Sequence, residues 1–164
     1  MAMAKIILGI DPGIADTGYG VIKSEGSCLT CLAYGSIKTG KQLDLVARLE
    51  ILHNELDKII KRYKPDLATI EQLFFNKNVR TALIVGQARG VILLTLKENN
   101  LEIAEYTPSQ GKSAVSAYGK ASKLQVQKMV KLILHLNELP QPDDAADALA
   151  LAICGLSFRV CQKK

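Results

Sequence analysis

Ile6-Ile7-Leu8-Gly9-Ile10-Asp11-Pro12-Gly13, continued by Thr17-Gly18-Tyr19-Gly20-Val21, is the stretch from which the rest of the chain is read. A run of aliphatic residues this compact forms a strand buried on both faces, and Pro12-Gly13 ends it by removing a ladder donor and demanding a turn. Asp11 is thereby left at the mouth of a buried strand. A carboxylate there is costly unless a cation, a metal or a dense set of donors compensates it. The alternative is a turn aspartate that hydrogen-bonds its own backbone. Gly13, Gly18 and Gly20 clear side chains from the space above Asp11, which on sequence grounds lets a large ligand's backbone approach. The motif points toward phosphate chemistry.

Outward from this strand, residues 18–23 and 28–38 read as a second and third strand around the Ser24-Glu25-Gly26-Ser27 turn, an antiparallel meander. Leu45, Val46, Leu49, Leu52, Leu56, Ile59, Ile60 and Tyr63 then recur at helical spacing, and Lys64-Pro65-Asp66 stops them. Leu67-Ala68-Thr69-Ile70 is a fourth buried strand that runs straight into Glu71. Residues 78–100 form a long helix, apolar almost all round, in which Gly86 and Gly90 admit either its own sheet or a second helix. A fifth strand covers 101–106. A helix follows through Leu124, Val126, Met129, Val130 and Ile133, ended by Pro140 and Pro142. Asp143 can then cap a last helix whose buried stripe is Ala145, Ala148, Leu149, Ala152, Ile153 and Leu156. The expected architecture is one α/β domain over residues 1–164, a five-stranded mixed sheet (antiparallel meander plus parallel strands) with helices on both faces.

A right-handed crossover lays the fourth strand parallel to the first, so that Asp11 and Glu71 leave the same sheet edge. Asp144 and Asp147, three apart on one helix face and flanked by alanines that leave room, join them if the last helix crosses that edge. Acids in a first turn also follow from the helix dipole alone. Four carboxylates in one place cannot all stay ionised without cations. Oxygen ligands without His or Cys select magnesium or manganese over zinc.

Composition bounds the function. With 48% hydrophobic and 23% charged residues the chain is globular rather than disordered. It has no apolar run of spanning length and no charged leader with a cleavage site, so the cytoplasm is the expected location. The net charge is +5. Residues 106–137 contain no acid yet hold Lys112, Lys120, Lys123, Lys128 and Lys131, and the acid-free stretch 72–97 holds Lys77, Arg80 and Arg89. Two single-sign stretches favour a nucleic-acid surface over an ordinary solvated face. Cys28, Cys31, Cys154 and Cys161 lack a shared face for zinc and read as reduced thiols.

These motifs together resemble the RuvC family of Holliday-junction resolvases, within the ribonuclease H-like nucleases. The resemblance rests on Gly9-Ile10-Asp11-Pro12-Gly13, Thr17-Gly18-Tyr19-Gly20, Ile70-Glu71-Gln72-Leu73-Phe74, Gly86-Gln87-Ala88-Arg89-Gly90, Lys123 before Gln125-Val126, and Asp144-Ala145-Ala146-Asp147-Ala148-Leu149-Ala150. It implies that Asp11, Glu71, Asp144 and Asp147 are the catalytic, metal-binding set for magnesium, with manganese as a substitute. Phe74 would stack on a base at the junction, although beside Phe75 it also reads as a core residue. Lys112 and Lys123 would contact DNA. The implied reaction is two-metal phosphodiester hydrolysis leaving a 5′ phosphate and a 3′ hydroxyl. The implied assembly is a homodimer working with RuvA and RuvB on bacterial, nucleoid-associated DNA. Gly111 stands where a bulkier aliphatic is expected before Lys112. An RNA-processing nuclease of the same superfamily shares the acids, an actin-like ATPase shares the first turn but needs a second lobe, and a silent DNA-binding module has no use for acids that repel phosphate.

Overall fold

Strand alternation divides the core into two layers, one on each side of a single sheet. The computed structural model describes residues 4–73, 79–116 and 119–157. Its strands are β1 (Lys5–Asp11), β2 (Asp16–Glu25), β3 (Cys28–Lys38), β4 (Leu67–Glu71) and β5 (Glu102–Tyr106), in the order β3-β2-β1-β4-β5. The first three pair antiparallel, and β4 lies parallel between β1 and β5. Helices α1 (Leu45–Tyr63) and α2 (Val79–Glu98) cover one face, where Leu52, Leu56, Ile60, Ala88, Ile92 and Leu96 pack on Leu8, Ile10, Ala68 and Ile70. On the other face α4 (Lys123–Ile133) and α5 (Asp143–Cys154) send Val126, Val130, Leu149 and Ile153 against Ile7 and Leu67. The mixed sheet with helices on both faces is as the sequence implies.

The period of two also decides where the acids go. Leu8 and Ile10 face α1 and α2, so Ile7, Gly9 and Asp11 face α5; on β4, Leu67, Thr69 and Glu71 share that side. Asp11 pairs with Gly18 and Gly9 with Gly20, which lines up three glycines under α5. A Cβ on Gly9 would stand 1.9 Å from the Ala148 carbonyl oxygen, one on Gly18 2.1 Å from that of Asp144, and one on Gly20 2.7 Å from the Leu149 side chain. Gly18 thus makes room for the backbone of α5 and Gly20 for its Leu149, and not, as the sequence suggests, for a ligand. The alanines of α5 obey the same packing: Ala145, Ala146 and Ala148 are fully buried rather than left small for a bulky guest.

Two local expectations change. Asp143 does not cap α5: the N-cap is Pro142, which makes no side-chain cap bond, and Asp143 is the first helical residue. Its side chain instead meets Lys123 Nζ at 2.6 Å. Between β5 and α4 lies a further helix, α3 (Pro108–Val115), with Pro at its start and a reciprocal capping box between Thr107 and Gln110. Ser122 and Gln125 repeat the box at α4. Gly111 is a buried residue of α3, where an added Cβ would stand 3.3 Å from Leu151 Cδ2; its smallness lets α3 close on α5. On α2, among the described residues, a Cβ on Gly90 would meet nothing within 4 Å and one on Gly86 only the Leu73 side chain at 3.9 Å, so neither glycine makes a close approach to the described sheet. Cys28, Cys31 and Cys154 are free thiols, and Cys161 lies outside the described residues. Among the described residues no helix is long and apolar enough to cross a membrane.

Candidate functional site

The last residues of two parallel strands and the first turns of α5 meet at one edge of the sheet. Asp11 ends β1, Glu71 ends β4, and Asp147 projects from α5; with Pro108, Gly111 and Lys112 of α3 and Ala150 and Leu151 of α5 they line a cavity of about 140 Å³. Asp144, one turn earlier on α5, is not among the cavity's lining residues, and its backbone lies over Gly18. Lys112 shares the cavity with the acids. Lys123 is tied to Asp143 at the start of α5, a largely exposed pair that adds little to stability. Phase on the strands and pitch on the helix produce this arrangement.

The acids at the cavity hold their protons more tightly than free carboxylates do. Asp11 is pushed up to about 8, first by burial and then by Glu71, Asp147 and Asp144, with Lys123 pulling weakly the other way. Glu71 is raised by burial and by Asp147 while Lys112 opposes. Burial likewise raises Asp147, against Lys123 and Lys112, and raises Asp144, where Asp143 and Asp16 add to it. Asp143 goes the other way, because it accepts a hydrogen bond from Lys123. The donor set is oxygen only and deprotonates fully only when more positive charge arrives, which fits a hard divalent cation. As the side chains stand, no three His, Cys, Asp or Glu among the described residues are grouped to hold an ion.

A pH dependence follows. Between its ordinary 3.8 and about 8, folded Asp11 keeps a proton that the unfolded chain has released. The folded state therefore binds more protons there, and stability falls as pH rises through that window. Urea melts in chelator at pH 5 and pH 8 should show the lower midpoint at pH 8, and Asp11→Asn should shrink the difference. A wild-type midpoint that is flat or rises over this interval contradicts the buried carboxylate.

The basic residues divide. Arg80 is exposed, whereas Arg89, counted in the sequence with the nucleic-acid surface, turns inward. Its side chain is only 16% exposed; Nε donates to the Glu71 carbonyl oxygen at 3.3 Å and Nη2 pairs with the Glu105 carboxylate. That contact joins α2 to two strands, and no local sequence pattern announces it. Phe74 and Lys77 lie outside the described residues.

Residues 7–155 match the family model described as "Crossover junction endodeoxyribonuclease RuvC". Relatives carrying that name are 54% identical in Halothermothrix orenii, over 96% of both chains, and 54% identical in Ruminiclostridium cellulolyticum, over 94% of both. Among solved structures, T. thermophilus RuvC in complex with Holliday junction substrate superposes with a TM-score of 0.89 at 31% identity, covering 96% of each chain. The yeast mitochondrial Holliday junction resolvase Ydc2 shares the fold, with a TM-score of 0.66 at 15% identity over 94% of this chain and 78% of that one.

Proposed function

The chain belongs to the crossover junction endodeoxyribonuclease RuvC family, and we propose that it resolves four-way DNA junctions with Asp11, Glu71, Asp144 and Asp147 as the ligands of divalent metal. The observation that carries this reading is the cavity at the sheet edge, where acids from β4 and α5 add to burial in raising the proton affinity of Asp11 on β1. Magnesium, or manganese in its place, would supply the Lewis acidity that activates water and stabilises charge on the scissile phosphate and the leaving oxygen. The products would carry a 5′ phosphate and a 3′ hydroxyl.

The chain's own residues prepare that chemistry. Asp11 and Glu71 are held by parallel strands in register, and α5 is pressed onto glycines, so Asp144 and Asp147 start from a rigid backbone. Lys112, inside the cavity wall, offers positive charge to a phosphate that the acids would repel. Lys123 would do the same at the rim, exchanging Asp143 for a phosphate oxygen. Phe74, three residues past Glu71, would stack on an unpaired base near the crossover. Incubating the protein with a labelled synthetic four-way junction should give paired nicks in strands of like polarity with magnesium and none in chelator. Equal cutting of linear duplex or of an RNA hybrid would overturn the assignment.

A junction has two strands of like polarity to cut, which matches a two-fold dimer. The outer stripe of α2 suits the contact. Leu83 and Leu94 are 63% and 57% exposed, and Gly86 and Gly90 lie between them on the same stripe without filling it. Leu83→Glu with Leu94→Glu should halve the mass in sedimentation and convert paired cuts into single nicks; a variant that stays dimeric places the interface elsewhere. Action with RuvA and RuvB, in the cytoplasm where bacterial DNA lies, completes the proposal.

A further inference from the structure

β4 ends at Glu71 with a backbone problem. On the β5 side the ladder extends one step further, through Gln72 N–H to the Tyr106 carbonyl at 2.8 Å. On the β1 side pairing stops at Ile10 with Ile70, and Pro12, two residues on, has no N–H to give. The Glu71 carbonyl accepts instead from Arg89 Nε, at 3.3 Å. The same guanidinium pairs with Glu105 on β5, and its side chain is mostly buried.

We infer that Arg89 is a positioning residue for Glu71, its guanidinium clamping the Glu71 carbonyl and Glu105 together so that the Glu71 carboxylate is aimed into the acidic cavity. The inference rests on the reading of Glu71 as a metal ligand. A peptide plane held at its carbonyl fixes ψ of Glu71, and with it the direction in which the chain leaves the sheet. A planar fork is needed: two donors at a fixed separation reach a carbonyl and a carboxylate at once, whereas an ammonium on a flexible stem holds neither in place. Charge also argues for position over DNA contact, since Glu105 already occupies the outer donor.

The test compares Arg89→Lys, Arg89→Ala and Glu105→Gln with Glu71→Gln. Four readouts are needed: single-turnover junction cleavage, half-saturating magnesium, the magnesium-induced shift in melting temperature, and junction affinity in chelator. Arg89→Lys should cleave at least tenfold more slowly, need severalfold more magnesium and show a smaller magnesium-induced shift, with junction affinity within about twofold of the parent. Glu105→Gln, which keeps the Nε contact, should move the same readouts less, and it remains informative if Arg89→Ala does not fold. Arg89→Lys with parental cleavage and parental magnesium dependence, beside an inactive Glu71→Gln, overturns the inference alone. So does a variant with a lower melting temperature but unchanged magnesium dependence, the signature of a purely structural arginine. An active Glu71→Gln removes the ligand reading first.

Discussion

Asp11→Asn is expected to reduce junction cleavage by at least about 10³-fold, roughly 4 kcal/mol of transition-state stabilisation, while junction binding is retained. Asp11 is the acid whose proton affinity is raised most by its surroundings, because it is half-buried and desolvated at the end of its strand and feels Glu71, Asp147 and Asp144 together. Those features make it the group that gains most from a cation, and the one whose replacement by a neutral isostere leaves the remaining acids least able to attract one. The substitution should also stabilise the metal-free protein above pH 8, since Asn carries no charge to desolvate. Cleavage under single-turnover conditions and a chelator melt at pH 8.5 measure the two effects. Near-parental cleavage would remove Asp11 from the site.

Gly9→Ala should have the second-largest effect, and it acts through the fold. The new methyl would fall 1.9 Å from the Ala148 carbonyl oxygen and 2.6 Å from the Ala152 nitrogen, both backbone atoms, so no side-chain rotation relieves the clash. Either α5 lifts or β1 bends, at a cost of about 3 kcal/mol, the upper end for overpacking a well-filled core. Lifting α5 also moves Asp144 and Asp147 away from Asp11. The surviving folded fraction should then cleave about 100-fold more slowly, as a displacement of about 1 Å at a catalytic site does. Urea melts and cleavage normalised to folded protein separate the two losses. A parental denaturation midpoint would mean that α5 does not sit on Gly9 as described.

Much of this arrangement is legible in the residues because it is periodic. The short unbroken apolar runs Ile6-Ile7-Leu8-Gly9-Ile10 and Leu67-Ala68-Thr69-Ile70 mark two buried strands, and each hands its last position to an acid. The spacing of Leu52, Leu56 and Ile60 marks the helix that buries them. The capping box Thr107-Pro108-Ser109-Gln110 is an equally local signal for α3, legible in advance but overshadowed by the lysines around it. Other features have no local mark. Gly18 has the same composition whether a ligand or a helix fills the space above it, and Arg89 has the same charge whether it faces DNA or Glu71.

The succession of the five strands and of every helix but α3, the two-sided burial of β1 and β4, and the identity of the acids at their ends follow from the sequence alone, since hydrophobic periods and turn residues act over a few positions. Tertiary structure alone decided that α5 lies on the glycines, that Asp143 holds Lys123 instead of capping its helix, and that Arg89 closes the end of β4. Each of these joins residues far apart along the chain, where short contacts and mutual burial select the partner and no repeating pattern records it.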